Sequence, residues 1–164
     1  MLKQSAGILV FRRTNDIPEV LLAHPAGPFW SKRDSWSIPK GELDDDEDHL
    51  AAAEREFIEE VGLDIPEGPL IDLGVVKQSN DKFNYIWAVE GDPDLANFYS
   101  EPFTMEWPPK SGVMQEFPEM DKVAWFELAV AKQKLFKNQI EFIDRLATHL
   151  QIELPPTSTQ QSLL

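Results

Sequence analysis

The N-terminal quarter of the chain contains two short apolar runs separated by a polar turn. The runs cover residues 5–11 and 18–23, and Thr14, Asn15 and Asp16 lie between them. Runs of this length are typical of strands, and asparagine and aspartate favour turns. The pattern therefore predicts a β-hairpin near the start of the chain.

Further strands are predicted in the second half of the chain. Residues 69–78 and 83–91 are rich in β-branched and aromatic side chains, and Ser79-Asn80-Asp81 separates them. Residues 120–128 have the same character. The order of these strands predicts a mixed or antiparallel sheet.

Residues 47–61 give the strongest helix signal. They contain no proline or glycine, alanine and glutamate dominate, and Gly62 follows where a helix favours a left-handed residue. At 100° per residue, Glu56, Glu59 and Glu60 fall on one side. An apolar stripe of Leu50, Ala53, Phe57 and Val61 leans towards the opposite side.

The remaining segments are expected to be loops or a second helix. Residues 24–41 are dense in proline, glycine, serine and aromatic residues, which predicts a loop with a short strand at 36–38. Residues 91–115 have little periodicity, which predicts a long excursion. Apolar spacing over about 134–150 predicts a packed amphipathic helix.

Composition narrows the class of protein. The chain has 164 residues, no cysteine and a formal net charge of −14. Its length suits one domain, which we place at 1–154, with a flexible C-terminal tail at 155–164. The negative charge argues against nucleic acid or anionic membrane as the main partner. We expect a cytoplasmic protein, monomeric or homodimeric, that acts on a small molecule.

The three glutamates on one helix face invite a cation. Like charges three or four residues apart cost an isolated helix roughly 0.2–0.5 kcal/mol per pair, and Arg55 offsets Glu59 only partly. Magnesium binds carboxylate oxygens and keeps waters and substrate phosphate oxygens as its other ligands. The acidic face suits a metal that holds a phosphorylated substrate.

The spacing of these residues resembles a family signature. The chain resembles the Nudix family, including its MutT-like members, because it carries the complete Nudix motif: Gly41, Glu47 and residues 55–63 with the sequence REFIEEVGL. The resemblance implies an α/β fold: an α/β/α sandwich with a mixed sheet and a loop-helix-loop catalytic motif. It also implies that Mg²⁺ or Mn²⁺ is held by Glu56 and Glu60, with Glu59 adjacent and the Gly41 carbonyl joining them.

Other charged residues in and near the motif are expected to orient the carboxylates or to act as the general base. Arg55 is expected to orient the carboxylates, and Glu47 to be structural near the helix start. Family members differ in their general base, so Glu59, Glu116 and Glu119 all remain candidates for this catalytic role. We expect Glu60 to face solvent.

Substrate contacts are assigned from residue chemistry. Lys40 is the favoured phosphate contact, and Arg33 is a weaker candidate. Trp36 and Tyr85 are candidates for stacking on a base, as are Trp30 and Trp107, although tryptophan in a small domain is commonly a core residue. A lone His24 is expected to be structural.

Residues 36–41, WSIPKG, resemble a segment of dinucleoside polyphosphate hydrolases and of some nucleotide-sanitising members. The expected activity is hydrolysis of a pyrophosphate linkage in a nucleoside diphosphate derivative, with diadenosine tetraphosphate as the first substrate choice. A nucleoside triphosphate, in its normal or oxidised form, is the runner-up, followed by ADP-ribose or a nucleotide sugar. A non-catalytic nucleotide-binding module is the alternative from a different class.

Overall fold

A computed structural model describes residues 2–155 of the chain. The predicted tail lies outside the described residues except for Pro155. The strands are β1 (Lys3–Thr14), β2 (Ile17–Pro25), β3 (Lys40–Glu42), β4 (Ile71–Ser79), β5 (Lys82–Glu90), β6 (Pro102–Glu106), β7 (Met114–Pro118) and β8 (Met120–Glu127). The helices are α1 (His49–Val61), α2 (Leu128–Lys134) and α3 (Ile140–His149), with short 3₁₀ turns at Leu95–Asn97 and Lys137–Gln139.

The predicted hairpin is confirmed as β1 and β2. Thr14 pairs with Ile17, so Asn15 and Asp16 form a two-residue turn. Their φ values are 52° and 64°, as a type I′ turn requires, and asparagine and aspartate tolerate that region better than most residues. The turn chemistry therefore fixes the register of the hairpin.

The main sheet is mixed, as predicted. Its strand order is β4-β5-β1-β2-β8, and β3 pairs with the N-terminal part of β1. β1 and β5 are parallel, whereas the other pairings in this sheet are antiparallel. β6 and β7 form a separate antiparallel hairpin.

Helices cover both faces of the main sheet, which confirms the α/β/α sandwich. On one face, α1 packs its Ala52, Ala53, Phe57 and Val61 against buried side chains of β1 and β2. On the other face, α2 and α3 contribute Leu128, Ala131, Phe142, Ile143 and Leu146 to a second core. Both cores depend on the alternation of side chains along β1, whose successive residues point to opposite faces. No helix within residues 2–155 is both long enough and apolar enough to cross a bilayer.

Helix α1 begins two residues later than predicted. Asp48 is its N-cap and accepts a hydrogen bond from the Ala51 N–H at 3.1 Å. Glu47 precedes the helix because its carboxylate accepts the Asp44 N–H at 2.9 Å in the loop. The C-terminal end is as predicted, since Gly62 adopts φ 66°.

Two segments differ from the sequence prediction. The excursion at 91–115 contains a 3₁₀ turn, β6 and the start of β7. The helix expected over 134–150 is interrupted, because Leu135 is extended and bridges to Trp36, with the Trp36 N–H bonded to the Lys134 carbonyl at 2.9 Å. The same bridge and the one from Ser37 to Ala23 replace the short strand expected at 36–38.

Candidate active site

An acidic cleft of about 340 Å³ lies between α1, β3 and the base of the β6–β7 hairpin. Gly41, Pro102 and six glutamates line it: Glu42, Glu56, Glu59, Glu60, Glu101 and Glu119. The three glutamates of α1 reach it because they lie within about 100° of one another on the helix, beside the face that is buried on the sheet. The structure thus brings the four residues of the predicted metal set into one cleft.

The backbone of Gly41 lies directly against the Glu56 carboxylate. A Cβ atom at position 41 would lie 2.1 Å from both Cδ and Oε2 of Glu56. Any side chain larger than hydrogen would therefore displace the carboxylate. This close approach explains why glycine occupies the start of the motif.

Arg55 binds the carboxylates around it. Its guanidinium donates to Glu47 at 2.8 and 2.9 Å, to Glu56 at 3.0 Å and to Glu59 at 3.0 Å. It also donates to the Glu42 carbonyl at 3.2 Å. Arg55 therefore ties the loop before α1 to two of the cleft carboxylates, with Glu47 as its strongest partner.

Burial and like charge raise the pKa values of the cleft carboxyls. Burial raises the pKa of Glu56 despite the neighbouring Arg55. Burial, followed by repulsion from Glu56, raises the pKa of Glu60 well above its usual range. The hydrogen bond that Glu60 accepts from the Lys40 N–H at 3.3 Å opposes this rise. Glu60 is partly buried, so the expectation that it faces solvent is wrong. Burial and the charge of Glu59 raise the pKa of Glu119.

The base of the β6–β7 hairpin places Glu101 and Glu119 at the cleft. The Glu101 N–H bonds to the Glu59 carbonyl at 3.0 Å, and the Glu119 N–H bonds to the Glu101 carbonyl at 3.1 Å. Glu116 lies further along β7, opposite Thr104, and does not line the cleft. Sequence reasoning missed Glu101, because nothing in the local pattern indicates that this segment returns to α1.

The predicted substrate-binding residues are dispersed. The stacking role of Trp36 is wrong, because its indole is buried among His24 and Phe126 and its Nε1–H bonds to Asp34 at 2.9 Å. Tyr85 is half-buried against His49, with ring centroids 4.2 Å apart, and does not line the cleft.

Lys40 and Arg33 have different surroundings. Lys40 is half-buried beside Gly41, and burial lowers its pKa while the charges of Glu60, Glu56 and Glu42 oppose that shift. The guanidinium of Arg33 lies over the Trp30 ring at 5.2 Å instead of in the cleft. Of these two residues, Lys40 is the one that lies next to the carboxylates.

The cleft residues fit a divalent cation chemically. They offer hard oxygen donors, and after burial the neighbouring carboxylates contribute to the raised pKa values of Glu56 and Glu60. Among residues 2–155, however, no three carboxylate or histidine groups already converge closely enough to hold a metal ion. A cation bound in this cleft would therefore draw the carboxylates closer together than they lie here.

Comparison with known proteins assigns the family. The fold and the glutamate-rich helix motif define a Nudix-type α/β/α sandwich, and the model of the NUDIX domain family matches residues 1–146. The chain belongs to the NUDIX family.

Curated relatives are distant. The chain is similar to the Saccharomyces cerevisiae m7GpppN-mRNA hydrolase, also described as mRNA-decapping enzyme subunit 2, with 26% identity over 113 residues. That alignment covers 68% of this chain and 10% of the relative. The chain thus spans about a tenth of the length of the curated relatives it matches.

Solved structures share the fold. A Caenorhabditis elegans Ap4A hydrolase binary complex aligns with a TM-score of 0.59 at 18% identity, covering 92% of this chain and 98% of that one. The NUDIX domain of Shewanella oneidensis NrtR, complexed with ADP ribose, aligns with a TM-score of 0.62 at 18% identity over 92% and 89% of the two chains. At this identity the likeness concerns the fold.

Proposed function

We propose that the chain is a pyrophosphohydrolase that depends on Mg²⁺ or Mn²⁺ and cleaves a diphosphate linkage in a nucleotide-like substrate. The observation that carries the proposal is that Glu56, Glu59, Glu60 and Glu119 all line one cleft next to Gly41. A protein with a purely structural acidic helix would gain nothing from gathering these charges at one cleft, because neighbouring carboxylates repel one another.

Glu56 and Glu60, with Glu59 and the Gly41 carbonyl, would hold the cation. When bound, the cation supplies charge neutralisation at the diphosphate and Lewis-acid activation of water. Arg55 orients Glu56 and Glu59 through its two 3.0 Å hydrogen bonds. Lys40 lies beside the same carboxylates and offers a point charge to a substrate phosphate.

Glu119 is the proposed general base. Its carboxylate lines the cleft, and Arg55 binds the carboxylates of Glu47, Glu56 and Glu59 but not that of Glu119. Glu59 is instead held by Arg55, and Glu116 lies outside the cleft. Glu119→Gln should therefore lower kcat by about 100-fold or more with little change in KM, whereas Glu116→Gln should not. Equal effects of the two substitutions would contradict this assignment.

A dinucleoside polyphosphate such as diadenosine tetraphosphate is the first substrate choice. The resemblance of WSIPKG to the corresponding segment of dinucleoside polyphosphate hydrolases supports it, and the fold of an Ap4A hydrolase is compatible with it. Nucleoside triphosphates, ADP-ribose and nucleotide sugars are the alternatives.

The chain as a whole is proposed to be a single cytoplasmic domain, since it has no cysteine and a net charge of −14.

A product-identified substrate screen tests this proposal. Diadenosine tetraphosphate, nucleoside triphosphates, ADP-ribose, a nucleotide sugar and an m7GpppN dinucleotide are incubated with the protein and Mg²⁺, and the products are separated. Glu56→Gln should abolish turnover of the best substrate. Glu54→Gln is the matched control, because Glu54 is exposed on the same helix and does not line the cleft. No turnover of any compound, or equal turnover by both variants, would reject the proposed activity.

A further inference from the structure

Glu119 lies at the junction between the β6–β7 hairpin and the main sheet. Pro118 ends β7 and Met120 begins β8, so one residue separates the two strands. The Glu119 N–H donates to the Glu101 carbonyl at 3.1 Å, and the Glu119 carbonyl accepts the Ala26 N–H at 3.0 Å. The position of Glu119 therefore depends on how the chain is held at this junction.

The side chain of Ser100 also binds this junction. Its hydroxyl oxygen accepts the Met120 N–H at 2.9 Å, and both residues are buried. Ser100 precedes Glu101, and Met120 follows Glu119, so the bond lies next to the pairing of Glu101 with Glu119. The hydroxyl therefore holds the chain one residue after the proposed general base.

The backbone on both sides of Ser100 is attached to the C-terminal end of α1. The last turn of a helix leaves carbonyls without partners inside the helix. The Tyr99 N–H donates to the Val61 carbonyl at 3.0 Å. The Glu101 N–H donates to the Glu59 carbonyl at 3.0 Å. Residues 99–101 thus connect the helix that carries the cleft glutamates to the junction that carries Glu119.

Two forces favour displacement of Glu119 if the Ser100 hydroxyl is removed. Glu59 and Glu119 line the same cleft, and their like charges repel each other. A buried N–H without a partner is unfavourable, so the Met120 backbone would gain by moving towards water. Either movement would draw the Glu119 carboxylate away from the carboxylates of α1.

We propose that Ser100 is a positioning residue for the hydrolysis: by holding the Met120 N–H, it keeps the Glu119 carboxylate beside the carboxylates of α1. The proposal rests on the proposed function, because it takes Glu119 as the group that accepts a proton from the attacking water. Ser100 is buried and does not line the cleft. It therefore acts on the rate through Glu119, and substrate binding does not depend on it.

The test compares side chains of the same shape at position 100. Threonine and valine differ by a hydroxyl in place of a methyl group, so the effect of the added bulk is common to Ser100→Thr and Ser100→Val. With the best substrate of the screen, kcat should be about tenfold lower in Ser100→Val than in Ser100→Thr. Ser100→Ala should lower kcat about tenfold from wild type. KM should change by less than about twofold, since a positioned base acts in the transition state.

A double-mutant cycle separates positioning from a general loss of structure. In the Glu119→Gln background, Ser100→Ala should lower kcat no further, because the group that Ser100 positions is already gone. Ile143→Val is the stability control, because Ile143 is buried in the core on the other face of the sheet. It should lower the urea midpoint, as Ser100→Ala does, and leave kcat unchanged. A loss of kcat from Ser100→Ala that is the same with and without Glu119 would overturn the proposal.

Hydrogen exchange of the Met120 amide gives a readout that does not depend on hydrolysis. Exchange followed by NMR should be at least about tenfold faster in Ser100→Val than in Ser100→Thr, and equal rates would overturn the proposal. The proposed function fails in a different way, because wild type would then hydrolyse no compound of the screen. Hydrolysis by wild type with equal kcat in Ser100→Thr and Ser100→Val would keep the proposed function and reject the role of Ser100.

Discussion

The contact between Gly41 and Glu56 allows a sharp test of the cleft geometry. In Gly41→Ala, the new Cβ would lie 2.1 Å from Cδ and Oε2 of Glu56, so the carboxylate must retreat by about 1.3 Å to reach ordinary contact at 3.4 Å. The backbone of Gly41 is outside the left-handed region, so alanine adds no φ strain. A displacement of about 1 Å in a positioned group costs roughly 100-fold in rate, or about 2.7 kcal/mol.

Stability should change much less than activity. The atoms that a Cβ would meet belong to the end of a flexible side chain, so a rotamer adjustment costing less than about 1 kcal/mol relieves the overlap. The assay measures kcat/KM with Mg²⁺ and the free energy of unfolding in urea for wild type, Gly41→Ala and Gly68→Ala. Gly68 is the control, because its nearest atoms would lie 3.6 Å from an added Cβ. Full activity in Gly41→Ala would refute the reasoning, as would equal losses in both variants.

Three other substitutions test separate parts of the account. Glu60→Gln removes a partly buried charge, so without metal its Tm should rise by a few degrees. Each kcal/mol of added unfolding free energy raises Tm by about 2–4 °C in a chain of this size. Metal-dependent turnover should be lost in the same variant. An unchanged or lower Tm would contradict the burial argument. Arg55 lowers the pKa of Glu47 to about 2. The extra stability of wild type over Glu47→Gln should therefore persist above about pH 4.5 and disappear as the pH falls towards 2, as measured by urea midpoints. A difference that grows in acid would have the wrong sign. Lys40→Ala should raise KM for the best substrate by about tenfold, and unchanged kinetics would remove Lys40 from the phosphate site.

The local part of the site could be predicted because it lies within one helix. The spacing of Glu56, Glu59 and Glu60 places them on one side of α1 whatever the helix packs against. Asn15 and Asp16 likewise fix a turn through their own backbone preferences. In both cases the signal is contained in a few consecutive residues.

The remainder of the site depends on contacts between distant segments. Glu101 reaches the cleft through a backbone hydrogen bond to Glu59, and no pattern within 91–115 indicates that bond. Trp36 is buried because the chain at Leu135 returns to pair with it, which also interrupts the expected C-terminal helix. Asn138 lies in a pocket whose other residues include members of the loop after β2 and of α1, β4 and β8. Such placements follow from tertiary packing, which local propensity does not encode.

Direct measurement of Mn²⁺ binding tests the central claim that the α1 carboxylates hold a divalent cation. Mn²⁺ is titrated into wild type, Glu56→Gln and the exposed-site control Glu54→Gln, and free Mn²⁺ is followed by electron paramagnetic resonance. Wild type and Glu54→Gln should bind Mn²⁺ with the same affinity, and Glu56→Gln should lose at least about tenfold. Equal affinity in all three proteins, or no binding by wild type, would contradict the claim.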